Sequence, residues 1–182
     1  MRGVMRIPFC EFCVKTRLFC SKCQSLLNSG QYEMYDVDVI DAILKLTDED
    51  QKLKSMLSDV EYYKSYDVGN TYFIALKGIR RVPINIVRSL EDKLTEILNR
   101  RVKIIEYTAN INELVTQIAY PAKPTVATTW LPDGTNETEV RIMKRDARRL
   151  KLKPTDMAKL LSAITNRSVK VKVISRDQLN TA

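Results

Sequence analysis

All four cysteines of the chain fall inside fourteen residues: Cys10-Glu-Phe-Cys13, six intervening residues, then Cys20-Ser-Lys-Cys23. Each CxxC pair can place two thiolates on one side of a tight turn, and apposing the pairs supplies the four tetrahedral sulfurs that structural zinc takes. Such a site is closed. With every position filled by protein there is no place for a reacting water, so one Zn2+ per chain would fold the segment and catalyse nothing. Lys15, Arg17 and Lys22 lie near enough in sequence to offset part of a tetrathiolate's negative charge. An iron–sulfur cluster is the other group that takes four thiolates, although ferredoxin spacing is tighter. Disulfides need an oxidising compartment, and redox CxxC pairs sit in a βαβ context that is absent here. The residues Gln24 to Gly30 read as a short helix stopped by glycine, with Cys20 and Cys23 at its start.

The absence of histidine narrows the chemistry further. The 182 residues include 30 Lys+Arg, 22 Asp+Glu and no His, a net charge of +8. No imidazole means no Ser-His or Cys-His nucleophile and no His-ligated metal. No P-loop, nucleophile elbow or paired-carboxylate motif is present, so neither an enzyme nor a small-molecule substrate is expected. The charge is segregated: residues 33–67 carry ten acidic and four basic side chains, whereas residues 121–182 carry 13 basic and 6 acidic. A basic region of that kind fits a polyanionic partner. No run approaches the roughly 20 apolar residues of a membrane span, and the segment before Pro8 is too short for a signal-peptide core. A cytoplasmic protein with no membrane partner is expected.

Hydrophobic periodicity orders the rest. Val37, Ile40, Ile43, Leu44 and Leu46 recur at helical spacing and predict one acidic amphipathic helix over 36–57, whose charges either form a solvated link behind the cysteines or dock on a basic partner. Strands are predicted at 60–68 and 71–77 around a Gly69-Asn70 hairpin turn, then a basic link, a helix from Ser89 to Leu98 and a strand at 101–107. The same order returns: helix 111–119, strand 125–130, turn Pro132-Asp-Gly134, strand 137–143, basic link, helix 154–164 and strand 169–174. Sliding the chain by 67 residues aligns nine identities over the 36 positions 71–106, the first being Thr71 on Thr138 and the last Lys103 on Lys170. The expectation is an α+β chain: a small four-cysteine zinc element over 1–32, an acidic helix with a first αββααβ unit over 33–110, and a second unit over 111–182.

That order, with a short basic connection between the middle helices, resembles the type II KH domain. KH modules use a GxxG loop there to bring backbone amides to nucleic-acid phosphates. Here Val82-Pro-Ile-Asn-Ile-Val-Arg88 and Arg149-Leu-Lys-Leu-Lys-Pro154 hold no glycine. With Ile7-Pro-Phe-Cys10 to Cys23, Trp130-Leu-Pro-Asp-Gly134 and Lys144-Arg-Asp-Ala-Arg-Arg-Leu150, the whole resembles archaeal NusA-like proteins that pair a zinc element with KH domains. The resemblance implies RNA binding and a role in transcription elongation or termination, with RNA polymerase as partner. A ribosome-associated factor and a protein-interaction scaffold are the alternatives.

Cations can replace the missing amides. Arg141, Lys144, Arg145, Arg148, Arg149, Lys151 and Lys153 set seven positive charges against Asp146 alone. Arg80, Arg81 and Arg88 form a weaker set in the first copy. Arginine suits bidentate phosphate contacts, and counterion release would make binding salt-dependent. Tyr62, Tyr63, Tyr66, Tyr72 and Phe73 read as core or cross-strand pairs, and Trp130 as a packing anchor.

Overall fold

In the computed structural model, which describes residues 5–175, each CxxC pair opens a helix. Residues 1–4, the start of the N-terminal segment, and 176–182 lie outside that description. Helix α1 (Glu11–Thr16) follows Cys10 and α2 (Ser21–Asn28) follows Cys20, both cysteines being N-caps in extended conformation. Sequence periodicity missed α1, because six residues are too few to show a helical repeat. Phe9, Cys13, Val14 and Cys23 share one hydrophobic core with Val37, Ile40, Ile43 and Leu44 of α3 (Met34–Glu49). Ahead of them, the Arg6 N–H donates to Val60 O (3.0 Å) and Arg6 O accepts from Tyr62 N–H (2.8 Å).

The predicted single acidic helix is two. Asp50 leaves helical geometry (φ −124°, ψ 100°), and its Oδ1 accepts from the N–H groups of Lys52 (2.9 Å) and Leu53 (3.0 Å), capping α4 (Gln51–Met56). Nor is the acidic helix only a solvated link, because its acids have separate tasks. Asp36 is fully buried. Its Oδ1 accepts from the Tyr62 hydroxyl (2.6 Å) and Ser65 N–H (2.7 Å), and its Oδ2 from Glu33 N–H (2.8 Å). Burial raises the Asp36 carboxyl above its ordinary range, against the pull of those bonds.

The chain divides into two units, Met1–Tyr107 and Thr108–Ala182, each with one three-stranded sheet. In the first, β1 (Glu61–Val68) and β2 (Thr71–Lys77) form a hairpin. Its turn residues Gly69 and Asn70 sit at φ 56° and 64°, the positive values a tight two-residue hairpin requires. A 3-10 turn (Ile79–Arg81) and α5 (Ile84–Leu98) then carry the chain to β3 (Arg101–Glu106), parallel to β2. In the second unit α6 (Ile111–Ala119) precedes the hairpin of β4 (Thr125–Trp130) and β5 (Asn136–Met143). Helices α7 (Lys144–Ala147) and α8 (Pro154–Thr165) lead to β6 (Ser168–Ile174), parallel to β5.

Prolines set where the long helices begin. Helix α5 starts five residues before the predicted Ser89, directly after Pro83, whereas α8 starts at Pro154 itself. Proline's fixed φ suits a helix start and its missing N–H costs nothing there. Only Val82 and Pro83 therefore separate the 3-10 turn from α5, and residues 84–88, read from sequence as loop, are helical.

The two units repeat at atomic detail. Asn99 and Asn166 end α5 and α8 in left-handed conformation, at φ 50° and 51°. Thr95 Oγ1 accepts from Val102 N–H (3.1 Å), and Ser162 Oγ, 67 residues on, accepts from Val169 N–H (3.2 Å). The middle strands follow a different offset. Tyr72 lies opposite Val102 and Thr138 opposite Val169, so β2 and β5 correspond at 66 residues. The Thr71/Thr138 identity is thus out of register, since one residue of slip reverses the face of a strand.

Removing the buried Asp36 carboxylate leaves Tyr62 and Ser65 without their acceptor. Asp36→Ala is expected to destabilise the first unit by about 3 kcal/mol, and Asp36→Asn by less, in urea unfolding of the full chain followed by circular dichroism.

Candidate metal centre and nucleic-acid surface

The two CxxC pairs face each other with approximate two-fold symmetry. In each pair the first cysteine caps a helix and is exposed, while the second lies in the first helical turn and is buried. The bonds are reciprocal: Cys10 N–H donates to Cys23 Sγ (3.4 Å) and Cys20 N–H to Cys13 Sγ (3.4 Å). Cys10 Sγ and Cys20 Sγ stand 4.0 Å apart, and all four sulfurs lie within 4.8 Å of one another. A disulfide would bring two of them to about 2 Å, and all four are free thiols. The group can hold a metal ion.

Electrostatics favour a cation between them. The Cys20 thiol is held down to about 7, first by the Cys23 backbone N–H, while burial pushes Cys23 up to about 12. Four thiolates at this spacing repel one another strongly, so full ionisation needs a positive charge at their centre. Lys15 and Arg17, expected to offset part of the thiolates' negative charge, pair elsewhere. Lys15 Nζ pairs with Asp48 (2.7 Å), and Arg17 with Asp38 (2.8 Å) and Asp41 (3.6 Å). Those bonds tie α1 to α3. Lys15, Arg17 and Lys22 are all exposed, and Lys22 alone of the three makes no ion pair among the described residues.

Of the cations singled out from sequence, six gather around the connection from α7 to α8. Lys144 and Arg145 lie on α7, Arg148 caps it, and Arg149, Lys151 and Lys153 follow, all exposed. Their one ion pair among the described residues joins Arg145 Nε to Asp146 (3.8 Å). Arg141 does not join them. It is half-buried on β5, its Nε 2.6 Å from Glu139, whose carboxyl is held below the usual range by Lys172 and then Arg141. Alternation along β5 decides this, because residue 141 shares a face with Glu139.

The first-unit cations are more scattered. Arg80 and Arg81 are exposed on the 3-10 turn, which Glu106 fixes by accepting from Gly78 N–H (2.9 Å) and Arg80 N–H (3.0 Å). Arg88 is on α5 instead of in a loop. Two of the hairpin aromatics stack on rings outside the hairpin, Tyr63 on Tyr107 just after β3 (3.6 Å between centroids) and Tyr72 on Tyr35 of α3 (5.6 Å). Trp130 is no packing anchor: it is 72% exposed. Alternation could not reveal that, because β4 is an edge strand whose final residues are exposed on both faces.

No family model and no curated protein matches the sequence. Among solved structures, the crystal structure of APE1850 is similar over 76% of this chain and 99% of its own length, with 13% sequence identity and a TM-score of 0.49. No helix among the described residues is long and apolar enough to cross a membrane.

Metal removal is expected to loosen the first unit as a whole, because Cys13 and Cys23 belong to its core. An ion bound at 100 times its dissociation constant adds about 2.7 kcal/mol, so chelation should lower the melting temperature by roughly 10–20 °C. Cys23→Ser should reproduce the loss without chelator, and differential scanning calorimetry measures both.

Proposed function

We propose that this chain is a non-catalytic RNA-binding adaptor, built from two degenerate type II KH-like units and a lobe held by one structural Zn2+. The observation that carries the reading is the α7–α8 connection, where six exposed cations make one ion pair between them among the described residues, Arg145 to Asp146. Uncompensated charge of that density is destabilising by itself and is relieved by a polyanion that releases condensed counterions. The repeated order of helix, hairpin, short turn or helix, long helix and parallel strand supports the KH-like assignment. Without glycine in either connection the backbone cannot approach a phosphate closely, so arginine and lysine side chains make the contacts. Such contacts read shape and phosphate position more than base sequence.

Zinc suits the cysteine site on two counts. A tetrahedral ion with 2.3 Å bonds to sulfur needs sulfurs about 3.8 Å apart, close to the 4.0 Å of Cys10 and Cys20. Four thiolates also leave no open position, so the ion would stabilise the lobe and perform no reaction. Purified protein should carry one zinc, and no iron, per chain by inductively coupled plasma mass spectrometry. The resemblance to NusA-like proteins favours a cytoplasmic factor of transcription elongation or termination working with RNA polymerase; a ribosome-associated protein is the second reading.

Replacing Arg145, Arg148 and Arg149 by alanine should weaken RNA binding and reduce the slope of log affinity against log salt by roughly 2–3. Filter binding across a salt series measures it, and unchanged affinity would sink the assignment. A native pull-down with and without ribonuclease separates the machines: polymerase subunits retained after digestion favour transcription, and ribosomal proteins lost on digestion favour the ribosome.

A further inference from the structure

The internal repeat supplies its own control for one arginine. Arg100 and Arg167 are counterparts at the 67-residue offset, each just after the left-handed asparagine that ends its helix. In the first unit Arg100 is engaged twice: its guanidinium lies over the Tyr72 ring, 4.8 Å from the centroid, and it forms an ion pair with Asp67. Tyr72 in turn stacks on Tyr35. The chain itself thus gives Arg100 an aromatic face and an anion.

In the second unit both partners are gone. The strand register puts Thr138 where the first unit has Tyr72, and Thr128, opposite Thr138, where it has Asp67. Arg167 is exposed and has neither an ion pair nor an aromatic partner among the described residues. Thr138 is fully buried and its Oγ1 has no hydrogen-bond partner. At this end of the sheet an open recess of about 580 Å³ is lined by Leu131, Asn136, Asn166 and Arg167, with Glu137 in its wall neutralised by Lys170 (2.6 Å). Small-ligand sites run from about 300 to 1,000 Å³. Trp130 is not part of that lining; it pairs across the hairpin with Asn136, which is, and so sits at the edge of the recess on the face of Thr138 and Val140.

We propose that this recess holds one unpaired nucleotide of a single-stranded RNA, the base stacked on Trp130 and the phosphate on Arg167. A nucleotide offers the two things that Tyr72 and Asp67 give Arg100, a π-face and a negative charge. The amides of Asn136 and Asn166 can hydrogen-bond the base edge or the ribose. Aromatic stacking contributes about 1–3 kcal/mol per base and tolerates any base, and arginine adds cation–π attraction. The site lies at the start of β5, whereas the cationic α7–α8 connection follows its end. The strand of eight residues between them spans roughly 25 Å, so an RNA can touch both.

This inference rests on the RNA-binding reading, and its test separates the two. Trp130 is the only tryptophan, so its fluorescence reports the site directly. Wild-type full chain is titrated with a labelled single-stranded RNA of about a dozen nucleotides, following both anisotropy of the label and emission of Trp130. Expected results are quenching of Trp130 by the single strand and not by the matching duplex, and about tenfold weaker binding for Trp130→Ala and Arg167→Ala, with Trp130→Phe between. Both positions are exposed, so thermal melts of these variants should match wild type; Arg100→Ala should instead melt earlier and bind RNA normally. RNA that binds through Arg145, Arg148 and Arg149 without quenching, and without loss in Trp130→Ala, overturns this site and leaves the RNA reading standing. No binding and no quenching by either RNA overturns both.

Discussion

One buried carboxylate joins the parts of the first unit. Asp36 stands at the start of α3, yet its oxygens accept from β1 through Tyr62 and Ser65 as well as from the N-cap of its own helix. A charge so far from water is tolerable only when its lone pairs are met, which fixes α3 against the sheet in one orientation. The cysteine lobe depends on that orientation. Cys13 and Cys23 pack on the core that α3 shares with the sheet, and Lys15 and Arg17 reach the acids on its outer side. A metal at the four sulfurs and a carboxylate within the core therefore stabilise one structure.

Charge segregation along the chain has a local cause as well as a distant one. The acids of residues 33–67 are largely taken up inside the first unit: Asp38, Asp41 and Asp48 by α1, Asp67 by Arg100, Glu61 by Lys77. What this leaves is a second unit whose α7–α8 connection is basic and, apart from Arg145 with Asp146, without ion pairs among the described residues. Its sheet face is the opposite case, with Glu137 and Glu139 bound by Lys170, Lys172 and Arg141. Cations a few residues apart thus differ in availability according to whether a strand or a connection carries them.

Repetition made the second unit interpretable. The helix-to-strand junctions share one bond, accepted by Thr95 in one copy and Ser162 in the other, and both follow a left-handed asparagine. Against that constancy the differences stand out. Proline moves the helix start, giving the first copy a two-residue connection and the second a long cationic one. The first copy fills its sheet end with Tyr72 and Asp67, and the second leaves Arg167 facing a recess.

Much of this was legible in residue order because it depends on neighbours. The four-cysteine site follows from spacing, the hairpin from Gly69-Asn70, and most strands and helices from periods of two and 3.6. These are short-range constraints, set by backbone sterics and by which side chains share a face. Other features were invisible for the converse reason. Helix α1 is too short to carry a period, Asp36 looks like any acid on an amphipathic helix, and a 66-residue offset hides beneath a 67-residue one. Which partner Arg141 meets, whether Trp130 is covered, and whether Arg100 or Arg167 finds a partner depend on segments far apart in the chain. Residue order by itself determined the elements, their repetition and the ligand set. Only the tertiary structure decided which charges are satisfied, because desolvation and ion pairing depend on distances that the chain acquires when its sheets and helices pack.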